Sequence, residues 1–285
     1  MSLTFLQVES VAEAQQALSQ YGEDAKLISG GVAVVLMLRE QLIAPEALID
    51  LGRLSELRYE RVQADGFHLG PLQRLSEVQN SPVIQAALPG LAEACRVVGN
   101  VRVRNQATIG GNLAEADYAS DPPAMLLALQ AEVTAAKSGS SRSIPLTEFF
   151  QGFYSTALEA DEMITDVFIP RPAAGTRMSY LKFKSRSAED RPCVGVAVVG
   201  AFEGEICQDL RIAVGAATEV PVRLAEFEGL AQGERLMEGL IAEIAAGYAR
   251  NIDPLEDIRG SAWYRRQMIE VHVRRALEEV ADGSR

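Results

Sequence analysis

Residues Arg102 to Leu113 read RVRNQATIGGNL, the most informative segment of this chain. At its centre, a glycine pair lies between the hydroxyl of Thr108 and the amide of Asn112. Glycine has no Cβ to block a ligand, and consecutive backbone N–H groups in such a turn can form an anion-binding nest. The two polar side chains can pair with phosphate or sugar oxygens without adding charge. The segment predicts a tight turn over residues 107–112 that approaches a ligand, although plain turn chemistry gives the same pattern.

A second glycine pair follows a predicted strand near the N-terminus. The strand Ala25–Ile28 runs directly into Ser29–Ala33, and the stretch Val32–Glu40 is apolar up to Leu38. We interpret this apolar stretch as a buried helix, whose first N–H groups would add to the attraction for a phosphate. Neither glycine turn fits GxGxxG or GxxxxGK[ST], so the classical dinucleotide fold and the P-loop are disfavoured.

The elements around the two turns predict three consecutive units, beginning with residues 1–58 and 59–172. In the first unit, capping-box spacing at Ser10–Glu13 opens a short helix, and Ala47–Leu51 reads as a further strand. In the second unit, short strands surround one longer helix over Pro82–Val98, which the internal proline kinks or splits.

The second unit ends in a predicted linker. Before it, Pro122–Leu129 predicts a helix with proline in its first turn, and Met163–Ile169 predicts a strand. The linker is Pro170–Gly175, where two prolines and a glycine stop both sheet and helix. The third unit, residues 173–285, is predicted to contain three strands and two helices over Tyr180–Lys184, Val194–Phe202, Leu210–Ala216, Leu230–Ala249 and Ser261–Val280.

Composition excludes several classes of protein. No apolar run reaches the roughly 18 residues that span a bilayer, and the N-terminus lacks a signal-peptide pattern, so we expect no membrane span and a cytoplasmic location. A net charge of -12 argues against nucleic acid as a partner. The cysteines Cys95, Cys193 and Cys207 are too far apart to form a zinc or iron–sulfur motif, so any metal must come from another chain.

Three features near the second glycine turn carry a family resemblance. They are the motif VRNQATIGGNL, the acidic Asp121 nine positions after Asn112, and LLALQAEV, which ends at Val133. Together they resemble the FAD-binding medium subunit of the xanthine dehydrogenase and carbon monoxide dehydrogenase family, the molybdenum hydroxylases. Further landmarks agree in order along nearly the whole chain, namely Ile49–Leu51, Phe149–Gly152, Thr156–Leu158 and Asp257–Arg266 (DIRGSAWYRR).

The resemblance implies an α+β fold with FAD as a noncovalent cofactor. It implies the FAD-binding (PCMH, or vanillyl-alcohol-oxidase-like) fold of two α+β subdomains, followed by a C-terminal α+β domain with an antiparallel sheet and helices. FAD would lie extended between the subdomains, with both glycine turns around its pyrophosphate. Matched residue by residue, the cofactor-binding positions are Ser29, Gly30, Gly31, Val32, Ala33, Thr108, Ile109, Gly110, Gly111, Asn112, Asp121, Ile164 and Lys182.

Three of these positions have specific roles in the resemblance, each with a structural alternative. Asp121 matches the acidic residue that bonds the adenosine, although it can also cap the helix that follows. Lys182 matches the lysine near the isoalloxazine, where a cation stabilises reduced flavin. Alternation along the strand puts Tyr180, Lys182 and Lys184 on one face, which can instead be solvated. Ile164 matches an apolar position against the ring system, and core packing is equally natural there.

The resemblance implies electron relay, with no acid–base pair or nucleophile on this chain. A large molybdopterin subunit would oxidise the substrate, and a small subunit with iron–sulfur clusters would pass electrons to this FAD, in a dimer of heterotrimers. One departure is that Val32 and Ala33 follow the first glycine pair, where relatives often have polar side chains. A nonredox module that has lost FAD is an alternative for this reason, and a self-contained flavin oxidase or reductase of the same wider fold is another.

Overall fold

The computed structural model describes residues 3–187 and 189–283. A three-stranded, a five-stranded and a four-stranded sheet follow one another along the chain. Residues 1–2 and 284–285, at the ends of the first and third predicted units, lie outside the described residues. In the described part of the chain, no helix is both long enough and apolar enough to cross a membrane.

The first sheet is small and parallel. Its spatial order is β1-β3-β2, and its elements are β1 (Thr4–Gln7), α1 (Val11–Tyr21), β2 (Ala25–Ile28), α2 (Val32–Arg39) and β3 (Ala47–Asp50). The hydroxyl of Ser10 accepts a hydrogen bond from the N–H of Glu13 at 3.2 Å, which confirms the predicted start of α1. Leu18 of α1 packs on Ile49 of β3 within the apolar cluster of this unit.

The predicted burial of α2 is wrong. Val34 is the buried residue of this helix, whereas Val32, Val35 and Leu36 are 40%, 47% and 57% exposed. These three residues recur at helical spacing, so they form one apolar stripe on the outer side of the helix. None of the described residues of α2 belongs to the three apolar clusters of the protein, so this helix is covered only on the side of Val34.

The second sheet is antiparallel and has the spatial order β4-β5-β10-β6-β7. Its strands, with the separate hairpin β8–β9, are β4 (Glu60–Val62), β5 (Gly66–Leu69), β6 (Glu132–Lys137), β7 (Ser140–Pro145), β8 (Phe150–Gly152), β9 (Ser155–Thr156) and β10 (Met163–Pro170). The helices of this unit are α3 (Leu75–Asn80), α4 (Pro82–Ala87), α5 (Pro89–Arg96), α6 (Val101–Arg104), α7 (Ile109–Glu115), α8 (Pro122–Ala128) and α9 (Leu146–Phe149).

Two sequence predictions in this unit have different outcomes. The split of the long helix is confirmed, because α4 ends at Ala87 and α5 begins at Pro89. The tight turn predicted over 107–112 is wrong, because Thr108 is the N-cap of α7 and the glycine pair lies in its first turn. The Thr108 side chain accepts a hydrogen bond from the N–H of Gly111 at 3.1 Å, which helps the helix to begin there.

The third sheet is antiparallel and has helices against both faces. Its spatial order is β11-β12-β13-β14, with β11 (Thr176–Phe183), β12 (Val194–Glu203), β13 (Ile206–Gly215) and β14 (Val222–Arg223). It is followed by α10 (Ala225–Glu228), α11 (Glu238–Asn251) and α12 (Ala262–Asp282). One face packs on α5 and α8 and the other on α11 and α12. Helix α11 begins later than predicted because a 3-10 turn, Gly229–Ala231, and Gly233 at positive φ precede it.

Candidate functional site

The two glycine turns, of which the second is the first turn of α7, meet in the structure. The hydroxyl oxygens of Ser29 and Thr108 lie 3.0 Å apart and form a hydrogen bond. Gly30 packs directly on the second segment, since a Cβ at this position would lie 1.8 Å from the carbonyl oxygen of Gln106. Gly110 is equally confined, because its Cβ would lie 2.3 Å from that of Pro71. The glycines therefore let two chain segments pack together, and they do more than make local turns.

The first turn presents unpaired N–H groups. Gly31 has φ 71° and is the N-cap of α2. Among the described residues, no oxygen accepts a hydrogen bond from the N–H groups of residues 31–34. Helix N-termini of this kind bind phosphate through these groups and through the helix dipole. Contacts of this type use the backbone of Val32 and Ala33, so their apolar side chains do not prevent them.

The groups beside the contact of the two turns are of the kind that bind a diphosphate. A Cβ on Gly111 would lie 2.9 Å from Thr108 Oγ1 and 3.0 Å from Ser29 Oγ, so a side chain here would fill the space beside both hydroxyls. Two hydroxyls, free backbone N–H groups and a glycine that leaves room beside them match what FAD phosphates require. The residues present therefore fit FAD.

The second turn is connected to Asp121. The side-chain amide of Asn112 exchanges two hydrogen bonds with the Ser120 hydroxyl, at 2.8 and 3.0 Å. Ser120 directly precedes Asp121, so this amide holds the start of α8 beside the glycine pair. Ile109 is fully buried in the core of the second unit, and its N–H bonds the Gln73 carbonyl oxygen at 2.9 Å. It can shape the turn, but its side chain faces the core.

Asp121 is held by two side chains of β11. The Tyr180 hydroxyl donates to one carboxylate oxygen at 2.8 Å, and the Lys182 ammonium donates to the other at 2.8 Å. Lys182 also donates to the carbonyl oxygen of Val97 at 2.8 Å. The Asp121 and Lys182 side chains are only 3% and 2% exposed. The predicted common face of Tyr180 and Lys182 is thus confirmed, but it is buried and not solvated.

This arrangement corrects two sequence-based interpretations. The Asp121 side chain makes no capping hydrogen bond to α8, so the helix-cap alternative is wrong. Because Asp121 and Lys182 are in direct contact, they cannot lie at opposite ends of an extended FAD, as their separate roles would require. Burial raises the pKa of Asp121 to about 6, and the neighbouring Lys182 and Tyr180 oppose that increase. Burial, followed by the nearby Asp121 carboxylate, raises the pKa of Tyr180 well above its usual value.

Ile164 lies in the core of the second unit. It is 6% exposed, pairs with Ala135 across β10 and β6, and precedes an irregularity in the strand register. Its side chain belongs to the apolar cluster that includes Phe67 and Phe149. Core packing is therefore shown, and a contact with the ring system stays a prediction.

A polar cluster near Tyr118 was not identified as a site from the sequence. Asp257 accepts hydrogen bonds from the hydroxyl of Tyr118 at 3.0 Å and from the guanidinium of Arg259 at 2.6 Å, and it forms an ion pair with the buried Arg265. Arg191 lies over the Tyr118 ring, 5.5 Å from its centroid. The signal was present in the landmark DIRGSAWYRR, which contains three of these residues, but its partners are distant in the chain.

The chain is similar to flavin-binding subunits of known dehydrogenases. Residues 1–172 match the family described as FAD binding domain in molybdopterin dehydrogenase, and residues 179–280 match the CO dehydrogenase flavoprotein C-terminal domain. The glyceraldehyde dehydrogenase medium chain of Sulfolobus acidocaldarius is 31% identical over 98% of both chains. The carbon monoxide dehydrogenase medium chain of Hydrogenophaga pseudoflava is 34% identical over 94% of this chain and 93% of its own.

Solved structures show the same fold. Carbon monoxide dehydrogenase from Hydrogenophaga pseudoflava aligns with TM-score 0.94 and 33% identity, covering 98% of this chain and 96% of the other. Quinoline 2-oxidoreductase from Pseudomonas putida 86 aligns with TM-score 0.92 and 28% identity, covering 99% of this chain and 98% of the other. The predicted α+β fold class and FAD as the cofactor are confirmed. The chain belongs to the family of FAD-binding medium subunits of the molybdenum hydroxylases, and it is an oxidoreductase component.

Proposed function

We propose that this chain is the electron-transfer subunit of a molybdenum hydroxylase, and that its FAD is held noncovalently between the two glycine turns. The observation that carries the proposal is the contact of Ser29 with Thr108, beside the unpaired N–H groups of residues 31–34. When bound, FAD supplies the capacity to accept and release electrons. The chain's own residues bind the pyrophosphate, fix its position and exclude water from it.

The thirteen predicted cofactor-binding positions have different parts in this proposal. The backbone of Gly30 to Ala33 and the hydroxyls of Ser29 and Thr108 hold the phosphates. The residues Ile109 to Asn112 form the opposing wall. We assign Asp121 to the adenosine end, because it follows Ser120 beside the second glycine turn. Lys182 then acts at the same end through Asp121, and Ile164 supports the site from the core.

The partners are proposed from the relatives. The names of two relatives describe them as medium chains of dehydrogenases. We propose a large molybdopterin subunit that oxidises the substrate and a small iron–sulfur subunit that delivers electrons, assembled as a dimer of heterotrimers. A cytoplasmic location is proposed as well, supported by three cysteines that are buried and free.

The first experiment is the visible spectrum of the purified chain, with the released cofactor identified after denaturation. We expect a flavin spectrum and stoichiometric release of FAD, with none left covalently attached. Absence of FAD, in the chain alone and in its complexes, even after excess FAD is added, would contradict the proposal. Co-purification with two further chains tests the partners, and a chain that stays alone when co-expressed with them would refute that part.

A further inference from the structure

We propose that Tyr180 is a positioning residue of the FAD site, which acts by holding Asp121 in the orientation that receives the adenosine. This inference rests on the proposed function. Tyr180 belongs to β11 of the C-terminal sheet, whereas the family model for the FAD-binding domain ends at residue 172. The C-terminal domain thus contributes the Tyr180 side chain to the FAD site, although it lies outside the FAD-binding domain.

The first argument is the geometry of the carboxylate. Each oxygen of Asp121 has one donor at 2.8 Å, the Tyr180 hydroxyl on one and the Lys182 ammonium on the other. Two donors fix the plane of the carboxylate, where one would let it rotate. An ionised carboxylate has about four acceptor positions, so each oxygen can still accept from a ribose hydroxyl or an amino group.

The second argument is that the sheet makes room for the Tyr180 hydroxyl. A Cβ on Gly195 would lie 2.6 Å from this oxygen, and the two next nearest atoms, Cζ and Cε2 of the same ring, are at 3.5 and 3.8 Å. The glycine therefore leaves room for the hydroxyl. Its φ is not in the left-handed region, so backbone conformation does not explain it.

The third argument is the link to the phosphate-binding part of the site. Ser120 precedes Asp121 and is bonded to Asn112 of the second glycine turn. A change in the orientation of the Asp121 carboxylate therefore occurs next to Ser120, which is hydrogen-bonded to the second glycine turn. Tyr180 and Asp121 are both 2% exposed, but Asp121 is the one that follows Ser120, so we expect Tyr180 to act on a ligand through Asp121.

The test measures binding of FAD, ADP and FMN to the flavin-stripped protein, in whichever assembly carries FAD in the wild type. ADP represents the adenosine half of FAD, and FMN lacks it. For Tyr180→Phe we expect FAD and ADP to bind about tenfold more weakly, with FMN unchanged, because a buried hydrogen bond to a charged group is lost. Tyr248→Phe is the matched control, since its hydroxyl is also buried and contacts the carboxylate of Glu228 at 3.2 Å, within the other core of the C-terminal sheet. It should leave all three affinities unchanged.

Double variants show whether Tyr180 acts through Asp121. Adding Tyr180→Phe to Asp121→Asn should produce no further loss of ADP affinity, whereas independent effects would add. Gly195→Ala should reproduce the loss seen with Tyr180→Phe and should have no effect once the hydroxyl is absent. These glycine variants keep the test decisive if Asp121→Asn does not fold.

Three results would overturn the positioning role. The first is unchanged ADP affinity in Tyr180→Phe, and the second is an equal loss of FMN and ADP affinity in that variant. The third is that the losses of ADP affinity add in the double variants. A wild-type protein that takes up no FAD in any assembly would instead refute the proposed function, and the positioning role with it.

Discussion

The hydroxyl oxygens of Ser29 and Thr108 lie 3.0 Å apart, although 79 positions separate them in the chain. Each hydroxyl stands beside a glycine pair, and Gly111 leaves open the space next to both. The contact joins a turn after the parallel sheet to the first turn of α7. Neither segment alone forms a two-sided phosphate site, so binding depends on their being held together.

Replacing Ser29 with Ala should weaken FAD binding by about five- to tenfold, because one hydrogen bond to a phosphate is lost. The free energy of unfolding should fall by no more than about 1 kcal/mol, since the hydroxyl caps no helix and loses only its hydrogen bond to Thr108. Thr108→Ala should weaken FAD similarly and also destabilise the protein by about 1 kcal/mol through loss of the α7 cap. Ser10→Ala, which removes the cap of α1, is the control that should affect stability only. Equal FAD affinity in wild type and Ser29→Ala, measured by titration, would contradict the role of this hydroxyl.

Gly30→Ala should separate the two turns. Its Cβ would lie 1.8 Å from a backbone oxygen of Gln106, which cannot move as a side chain can. We expect loss of bound FAD and destabilisation by about 3 kcal/mol, from chemical unfolding. Gly239→Ala is the control, because nothing lies within 4 Å of its Cβ and alanine favours the helix. Normal FAD content in Gly30→Ala would show that the packing of the turns is not required.

The exposed stripe of α2 should tolerate polar residues in the isolated chain. Leu36 is 57% exposed, so Leu36→Gln should change the free energy of unfolding by less than about 0.5 kcal/mol. Val34, on the buried side, should behave differently, with Val34→Ala costing about 2 kcal/mol. If both variants lose similar stability, the helix is buried on both sides, as the sequence alone indicated.

Asp257 should contribute stability that depends on pH. Burial alone would raise its pKa, but hydrogen bonds from the Arg259 N–H, from Arg265 and from Tyr118 lower the pKa from 3.8 to about 2. A carboxyl whose folded pKa is lowered stabilises the protein fully above its unfolded pKa. That contribution is lost as pH falls from about 4 to about 2.

Asp257→Asn should therefore be less stable than wild type at pH 7, and the difference should shrink as pH falls through that window. Urea unfolding of both proteins at several pH values measures this difference in the free energy of unfolding. Asp253→Asn is the control, because this carboxylate is 99% exposed and its ion pair with Arg266 is 3.3 Å long. A constant difference between wild type and Asp257→Asn at all pH values would contradict the assignment.

The elements that were predicted correctly from the sequence have local signals. The capping spacing at Ser10, the proline that splits the helix before α5 and the alternation along β11 each depend on a few neighbouring residues. The same local signals drew attention to both glycine pairs, although the second pair lies in the first turn of a helix. A family resemblance added the cofactor, which periodicity does not reveal.

What sequence reasoning missed depends on contacts between distant segments. Alternation placed Tyr180 and Lys182 on one face, but it could not show that Asp121, 61 positions from Lys182, lies opposite them. The outer stripe of α2 was missed for a related reason. An apolar helix is interpreted as buried by default, and only its packing against other elements decides how much of it is covered.

The central strand of the C-terminal sheet, β12, is buried from Val194 to Phe202 and has a hydrogen-bonded strand on each side. Its backbone amides can therefore exchange hydrogen with the solvent only when the sheet itself comes apart. The exchange rate of this one strand measures the global opening of the domain that holds Tyr180. The exposed N–H groups at the start of α2 should exchange far sooner, so the two regions record local and global motion in the same molecule.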